Sequence, residues 1–149
     1  MPVRNSTPLD HPKILSLAAK IPAGPAFNWP PTQLQAELSE SRSLVFEQNS
    51  QIRSFVSFRD LPDYFEITVL ATDPDFLRLG LQRELLKSLQ ELAAKQQKRI
   101  LLEVHAENQP ARSLYAGMTF LPIHLRPNYY SDGASALVLE WNNKAGCES

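Results

Sequence analysis

The chain has 149 residues, with 15 Lys+Arg against 16 Asp+Glu and a single cysteine, Cys147. Charges this closely balanced exclude the broad basic field of a nucleic-acid binder, and one cysteine excludes an internal disulfide and leaves no metal-ligand cluster of the zinc type. The amino-terminal MPVRNSTPLDHPK has no apolar signal core, and no apolar run reaches membrane-spanning length, so a soluble, cytoplasmic, single domain over residues 1–149 is expected, with no membrane partner and no metal, residues 142–149 forming a polar tail.

Met1 to Pro12 is polar and proline-bearing, a loose arm or a short edge strand. Between His11 and Ile21, the apolar residues Ile14, Leu15, Leu17, Ala18 and Ile21 fall at helical spacing. IPAGPAFNWPP, ending at Pro31, stops that helix, because its prolines and glycine cannot continue it. Phe27 and Trp29 in this elbow are either core anchors or the rim of a binding groove. A second helix opens at about Thr32, with Leu34 and Leu38 as its buried stripe. Ser43 to Phe46 and Ile52 to Phe58 read as paired strands around the turn formers Asn49-Ser50. Arg59 to Asp63 is a further turn, and a third strand completes an antiparallel meander.

The third strand begins the most informative stretch, FEITVLATDPDFLRLGLQ from Phe65 to Gln82. Phe65 to Ala71 has the bulky, β-branched make-up of a buried strand, and Asp73-Pro74-Asp75 forces a turn. Arg78-Leu79-Gly80 then leads into a helix starting at about Leu81. A loop reaching a helix start through glycine leaves free N–H groups with the positive end of the helix dipole behind them, a place that suits a phosphate. The alternative is an ordinary strand-to-helix connection. From Leu81, Leu85, Leu86, Leu89, Leu92 and Ala93 keep a 3.6-residue period, and Arg99 to Val104 is a strand that is apolar except for Glu103. Strand, helix and strand in succession imply a parallel pair. Asn108 caps a fourth helix carrying Ala111, Leu114, Tyr115 and Met118 on one face. Phe120 to Leu125 and Ala136 to Trp141 are the last strands, joined by RPNYYSDGAS. The fold class expected is α/β (α+β): a mixed sheet with helices on both faces.

Five pieces stand together in this order: AFNWP at Ala26 to Pro30, ATDPDF at Ala71 to Phe76, LLEVHAEN at Leu101 to Asn108, NxxAxxLY at Asn108 to Tyr115, and RPNYY at Arg126 to Tyr130. With them the chain resembles the GNAT superfamily of acetyl-CoA-dependent N-acetyltransferases, and within it the RimI-type branch that acetylates the N-terminal alanine of a ribosomal protein. The resemblance implies a GNAT fold in which the strands at Phe65 and Arg99 splay apart. The pantetheine of acetyl-CoA would lie in the gap against backbone groups of Leu70, Ala71 and Thr72. Backbone N–H groups of Arg78, Leu79, Gly80, Leu81, Gln82 and Arg83 would cradle the pyrophosphate, and Asn108 would add a cofactor contact to its cap. The chain departs from the family pattern in this loop. Leu77 stands where a polar residue is usual, and Gln82 where Gly or Ala is usual; Gln82 either crowds the pyrophosphate or donates a hydrogen bond to it. Thr119 replaces a glycine after the fourth helix.

By the same resemblance Glu103 is the general base that takes the amine proton, and Tyr115 the general acid that protonates the departing thiolate. Their structural alternatives are an ion-paired strand residue and a core aromatic. An α-amine with a pKa near 8 is about a tenth neutral at pH 7, so a modestly placed carboxylate suffices. Tyr129 and Tyr130, with Phe27 and Trp29, would line the acceptor groove. His105, on the same strand face as Glu103, either tunes it or is a lone surface histidine. The function implied is acetyl transfer by direct attack to a protein N-terminal amine of the Ala or Ser type. A GNAT enzyme of small amines or lysine, and a non-catalytic acyl-CoA-binding module, are the alternatives.

Overall fold

In the computed structural model residues 2–24 and 27–143 are described; Ala26 of the AFNWP stretch, and most of the predicted tail with Cys147, lie outside them. The elements are β1 (Val3–Asn5), α1 (His11–Ala19), α2 (Pro31–Glu40), β2 (Arg42–Gln48), β3 (Gln51–Asp60), β4 (Tyr64–Thr72), α3 (Leu81–Lys95), β5 (Arg99–His105), α4 (Gln109–Gly117), β6 (Leu121–Arg126) and β7 (Ala136–Trp141). They build one sheet in the order β1-β2-β3-β4-β5-β7-β6. Every neighbouring pair is antiparallel except β4 and β5, which are parallel. The amino-terminal arm is thus the edge strand β1. Helix α1 stops short of the predicted Ile21, since Pro22 disfavours helical backbone at the residue before it. No helix among the described residues is long and apolar enough to cross a membrane.

The sheet is covered on both faces. On one, the α3 residues Leu81, Leu85, Leu86, Leu89 and Ala93 pack with Val56, Phe58, Phe65, Ile67, Ile100, Leu102 and Val104. On the other, Ile14, Leu17 and Ala18 of α1 and Leu34 and Leu38 of α2 pack with Val45, Phe55, Val69 and Ala71. Strand β4 sends odd-numbered residues to both clusters, which a regular two-residue alternation forbids. Its pairing with β3 explains this: Ser57 faces Val69 while Phe58 faces Ile67, so Thr68 is a bulge. The extra residue sends Phe65 and Ile67 toward α3, and Val69 and Ala71 toward α1 and α2.

Asn49 and Ser50 turn the β2–β3 hairpin with φ of 53° and 62°, the left-handed pair that a tight two-residue hairpin requires. Thr119 is less comfortable. It ends α4 with φ of 67°, a region where a β-branched side chain crowds the carbonyl that follows it. Thr119→Gly is expected to raise unfolding stability by about 1 kcal/mol, relief of roughly 1–2 kcal/mol being partly offset by glycine's freer unfolded chain. Urea titration with an unchanged slope checks it; a variant that is less stable than the wild type shows that the strain is absorbed elsewhere.

Candidate active site

Strands β4 and β5 pair only at Tyr64–Arg99, Phe65–Ile100 and Glu66–Leu101. Beyond those three positions β5 is held only by β7, which borders its other edge from Ile100 to His105, and β4 continues along β3 alone. A wedge therefore opens between Ile67–Thr72 on one side and Leu102–His105 on the other, as the family resemblance implies. The ladder fixes which backbone groups face it. Asp73 N–H donates to Arg53 O at 2.8 Å, so the bonded pairs of this run are 53 with 73, 55 with 71, and 57 with 69. Leu70 and Thr72 consequently turn their N–H and C=O groups into the wedge. Ala71 does not: its backbone faces β3, and its carbonyl also accepts from Ser54 Oγ at 2.7 Å. The expectation that all three present backbone to the gap is corrected to Leu70 and Thr72, because successive residues of a strand point their peptide groups to opposite edges.

The far end of β4 is clamped. Asp73, buried, accepts from Lys20 Nζ at 2.7 and 2.8 Å and from the N–H of Asp75 at 3.0 Å. Burial alone would raise its pKa, and these donors pull it below the usual carboxylate value. From this clamp the chain passes through the short 3₁₀ turn Pro74–Phe76 into the loop before α3. Arg78 and Gly80 adopt positive φ, 63° and 81°, and the first bond of α3 is Glu84 N–H to Gly80 O at 3.1 Å. Among the described residues no protein acceptor meets the N–H groups of Arg78, Leu79, Gly80, Leu81, Gln82 or Arg83. A run of free donors on a left-handed turn at the start of a fifteen-residue helix has the geometry that suits an anion. The Leu77 and Leu79 side chains are exposed beside it, Gln82 is half-buried, and the Arg83 guanidinium reaches back toward Gly117 at the end of α4.

Glu103 and Tyr115 lie on opposite faces of the sheet. On β5, Leu102 and Val104 enter the α3 cluster, so Glu103 between them points to the other, open face. Its carboxylate lies 3.6 Å from Arg126 Nε of β6. Hydrogen bonding to the same carboxylate pushes the Tyr129 hydroxyl above its usual pKa. Tyr115 belongs to the α3 side, buried on α4 with its ring edge-on to Phe120 at 5.5 Å, and desolvation raises the pKa of its phenol. Asn108 caps α4 through Oδ1, which accepts from Ala111 N–H at 3.3 Å.

Phe27 and Trp29 pack partly against the α1–α2 cluster and also line a cavity of about 310 Å³ between α1, the elbow and α2. A cavity of about 600 Å³ lies at the opposite end of β4 and β5, around Asp63, Lys98 and Arg99, away from the wedge. Tyr129 is half exposed, and Tyr130 is tucked behind it. His105 is not a surface residue; it is 5% exposed, stacked on Tyr130 and hydrogen-bonded to Asp132. Arg126 and Asp132 have no individual role in the sequence reading. The parity of Glu103 and His105, together with the Asp132-Gly133 turn signal, was the available hint.

A sheet opened between two parallel strands, with an anion cradle at the helix beyond and a carboxylate on the open face, is the build of an acyltransferase that draws on a coenzyme A thioester. The chain belongs to the acetyltransferase (GNAT) family, which residues 13–120 match, and acetyl-CoA is the acetyl donor of that family. It is similar to the ribosomal protein bS18-alanine N-acetyltransferase of Escherichia coli strain K12, 33% identical over 119 residues that cover 76% of this chain and 80% of that one. A Bacillus subtilis strain 168 protein, provisionally given the same activity in its name, is 30% identical over 99 residues, 66% of each chain. The crystal structure of the Escherichia coli ribosomal-protein-S18-alanine N-acetyltransferase superposes with a TM-score of 0.84 at 26% identity, covering 94% of this chain and 92% of that one.

Proposed function

We propose that this chain transfers the acetyl group of acetyl-CoA, by direct attack, to a protein N-terminal α-amine of the Ala or Ser type, with a ribosomal protein as the acceptor. The observation that carries it is the position of Glu103 on the open face of the wedge, facing the Tyr129 hydroxyl and Arg126. The activity named for the Escherichia coli and Bacillus subtilis relatives supports the choice of acceptor.

In this reading the pantetheine runs along the free edge of β4 at Leu70 and Thr72, and the pyrophosphate rests on the N–H groups of Arg78 to Arg83. Tyr129, Tyr130, Phe27 and Trp29 border the acceptor. The neutral amine forms a bond to the thioester carbonyl carbon, and the carbonyl oxygen takes up negative charge beside a backbone N–H of the β4 edge. Glu103 accepts the proton released by the nitrogen, directly or through water. The carbon–sulfur bond then breaks, and Tyr115 gives its phenolic proton to the thiolate, later regaining one from solvent. No covalent acyl-enzyme is formed, so no cysteine or serine nucleophile is required.

The test is thiol release from acetyl-CoA against Ala-, Ser- and Met-starting peptides and a panel of small amines. Turnover on Ala or Ser peptides is the expected result. Turnover on small amines alone would discard the N-terminal reading and keep the mechanism; acetyl-CoA bound without turnover would leave a binding module.

Gln82 sits one residue into α3, where its N–H is among the free donors. Gln82→Ala is expected to change the Kd for acetyl-CoA by less than about threefold, because the backbone carries the contact. Gln82→Glu places a negative charge beside the same free donors; like charges about 5 Å apart repel by about 3 kcal/mol at an effective dielectric near 20 before ionic screening, so the variant should bind at least about tenfold more weakly. Calorimetric titration reads both. An unchanged Kd for Gln82→Glu would remove the pyrophosphate from this loop.

A further inference from the structure

The loop of residues 127–135 carries Tyr129 to Glu103, yet it has little holding it. Its feet are pinned by β6 and β7 and by Ala106 N–H donating to Ser135 O at 2.9 Å. Its tip is a small closed turn: Tyr130 N–H donates to Ala134 O at 3.1 Å, Gly133 N–H to Tyr130 O at 2.9 Å, and Gly133 takes φ of 84°. Asn128, Tyr129, Ser131, Asp132 and Gly133 are exposed, and none of the loop's side chains enters either core cluster.

One residue of the sheet reaches this tip. His105 accepts the N–H of Glu107 on Nδ1 at 3.1 Å, which fixes the remaining ring proton on Nε2. Nε2–H therefore donates to Asp132 Oδ2 at 2.8 Å. The other oxygen of Asp132 accepts from Ala134 N–H at 2.9 Å, so a single carboxylate closes the turn and ties it to β5. The imidazole face lies on Tyr130 at 4.8 Å and 24°, and Tyr130 in turn meets Tyr129 edge-on at 5.3 Å and 86°. Tyr129 also receives the Arg126 guanidinium at 5.7 Å. His105, Glu107 and Asp132 bring ligand-type atoms within 4.8 Å of one another. Both ring nitrogens are already engaged, however, and the group is a latch.

We infer that His105 is a positioning residue: with Asp132 it latches loop 127–135 onto β5, keeps Tyr129 beside Glu103, and thereby sets the affinity for the acceptor amine. This rests on the acceptor face assigned above. The latch acts on acceptor binding and leaves the cofactor wedge alone, since the β4 edge and the α3 loop make no contact with it among the bonds described.

The experiment is steady-state kinetics on the full chain with an Ala-starting peptide and acetyl-CoA. His105→Phe keeps a ring against Tyr130 and removes both hydrogen bonds. Asp132→Asn is close to isosteric, but its single oxygen cannot serve both the Nε2–H and the Ala134 N–H, and it lies on an exposed turn where folding is not at stake. Each is expected to raise KM for the peptide about tenfold, the scale of one lost charge-assisted hydrogen bond. Kcat should stay within about twofold, and the Kd for acetyl-CoA should not change. In a Tyr129→Ala background His105→Phe should add less than about twofold, because the latch works through Tyr129. A lowered Tm with KM unchanged, or a KM penalty that persists undiminished without Tyr129, overturns the inference. Wild type alone judges the proposed function: if it uses a small amine and no peptide, the N-terminal reading falls and the same KM comparison is read on that amine. A wild type that acetylates neither overturns both.

Discussion

Glu103→Gln is expected to lower kcat about 10²-fold at pH 7, the lower range of what a positioned general base contributes, with the Kd for acetyl-CoA unchanged. The substitution keeps shape and an oxygen that Tyr129 can still donate to, and it removes the charge beside Arg126 and the capacity to take a proton. The deficit should be pH-dependent in a defined direction. A peptide α-amine with a pKa near 8 is about a tenth neutral at pH 7 and about nine-tenths neutral at pH 9. As pH rises, more of the acceptor arrives already deprotonated, and the variant should close on the wild type. A kcat and kcat/KM profile from pH 6 to 9 on one Ala-starting peptide reads this. Full activity of the variant at pH 7 would reduce Glu103 to an ion-pair partner of Arg126.

Tyr115→Phe is expected to cost a similar factor, about 10² in kcat, with KM for both substrates nearly constant. The phenol is buried, and desolvation raises its pKa above the ordinary tyrosine value. A raised pKa means that the protonated form persists through neutral and mildly alkaline pH, so as the proposed general acid it would impose no alkaline loss of its own there. In the proposed mechanism a thiolate expelled beside it would be destabilised by the same lack of water, which would favour the transfer. Packing is separable from chemistry here. Phenylalanine keeps the edge-on contact with Phe120, and unfolding stability should move by less than about 1 kcal/mol. Undiminished kcat in Tyr115→Phe would leave this residue as a core aromatic. Loss of stability larger than that would assign the kinetic effect to a disturbed α4.

What the sequence determined by itself is mostly local. The 3.6-residue period from Leu81 to Ala93 becomes the buried stripe of α3, because an amphipathic helix must hide that face wherever it docks. Asn49-Ser50 closes its hairpin in the left-handed region, Gly80 takes positive φ before α3, and Asn108 caps α4, each a consequence of one residue's own backbone or side-chain chemistry. The family pattern added the splayed parallel pair, and the pairing of β4 with β5 over only three positions bears that out.

The tertiary structure decided the rest. The bulge at Thr68 leaves no mark in composition, yet it moves the odd-numbered residues of β4 from one core to the other and determines that Leu70 and Thr72, and not Ala71, turn their backbone into the wedge. In sequence His105 reads as either a tuner of Glu103 or a lone surface histidine, because its same-face neighbours Glu103 and Glu107 are polar. Its cover comes from Tyr130 and Asp132, across a loop and a strand. Lys20 clamps Asp73 from the far side of the chain, and Arg126 reaches Glu103 from another strand. Periodicity and turn chemistry register what a residue does to its own few neighbours. Register and long-range pairing depend on residues tens of positions apart meeting in one place, and that meeting exists only once the sheet has formed.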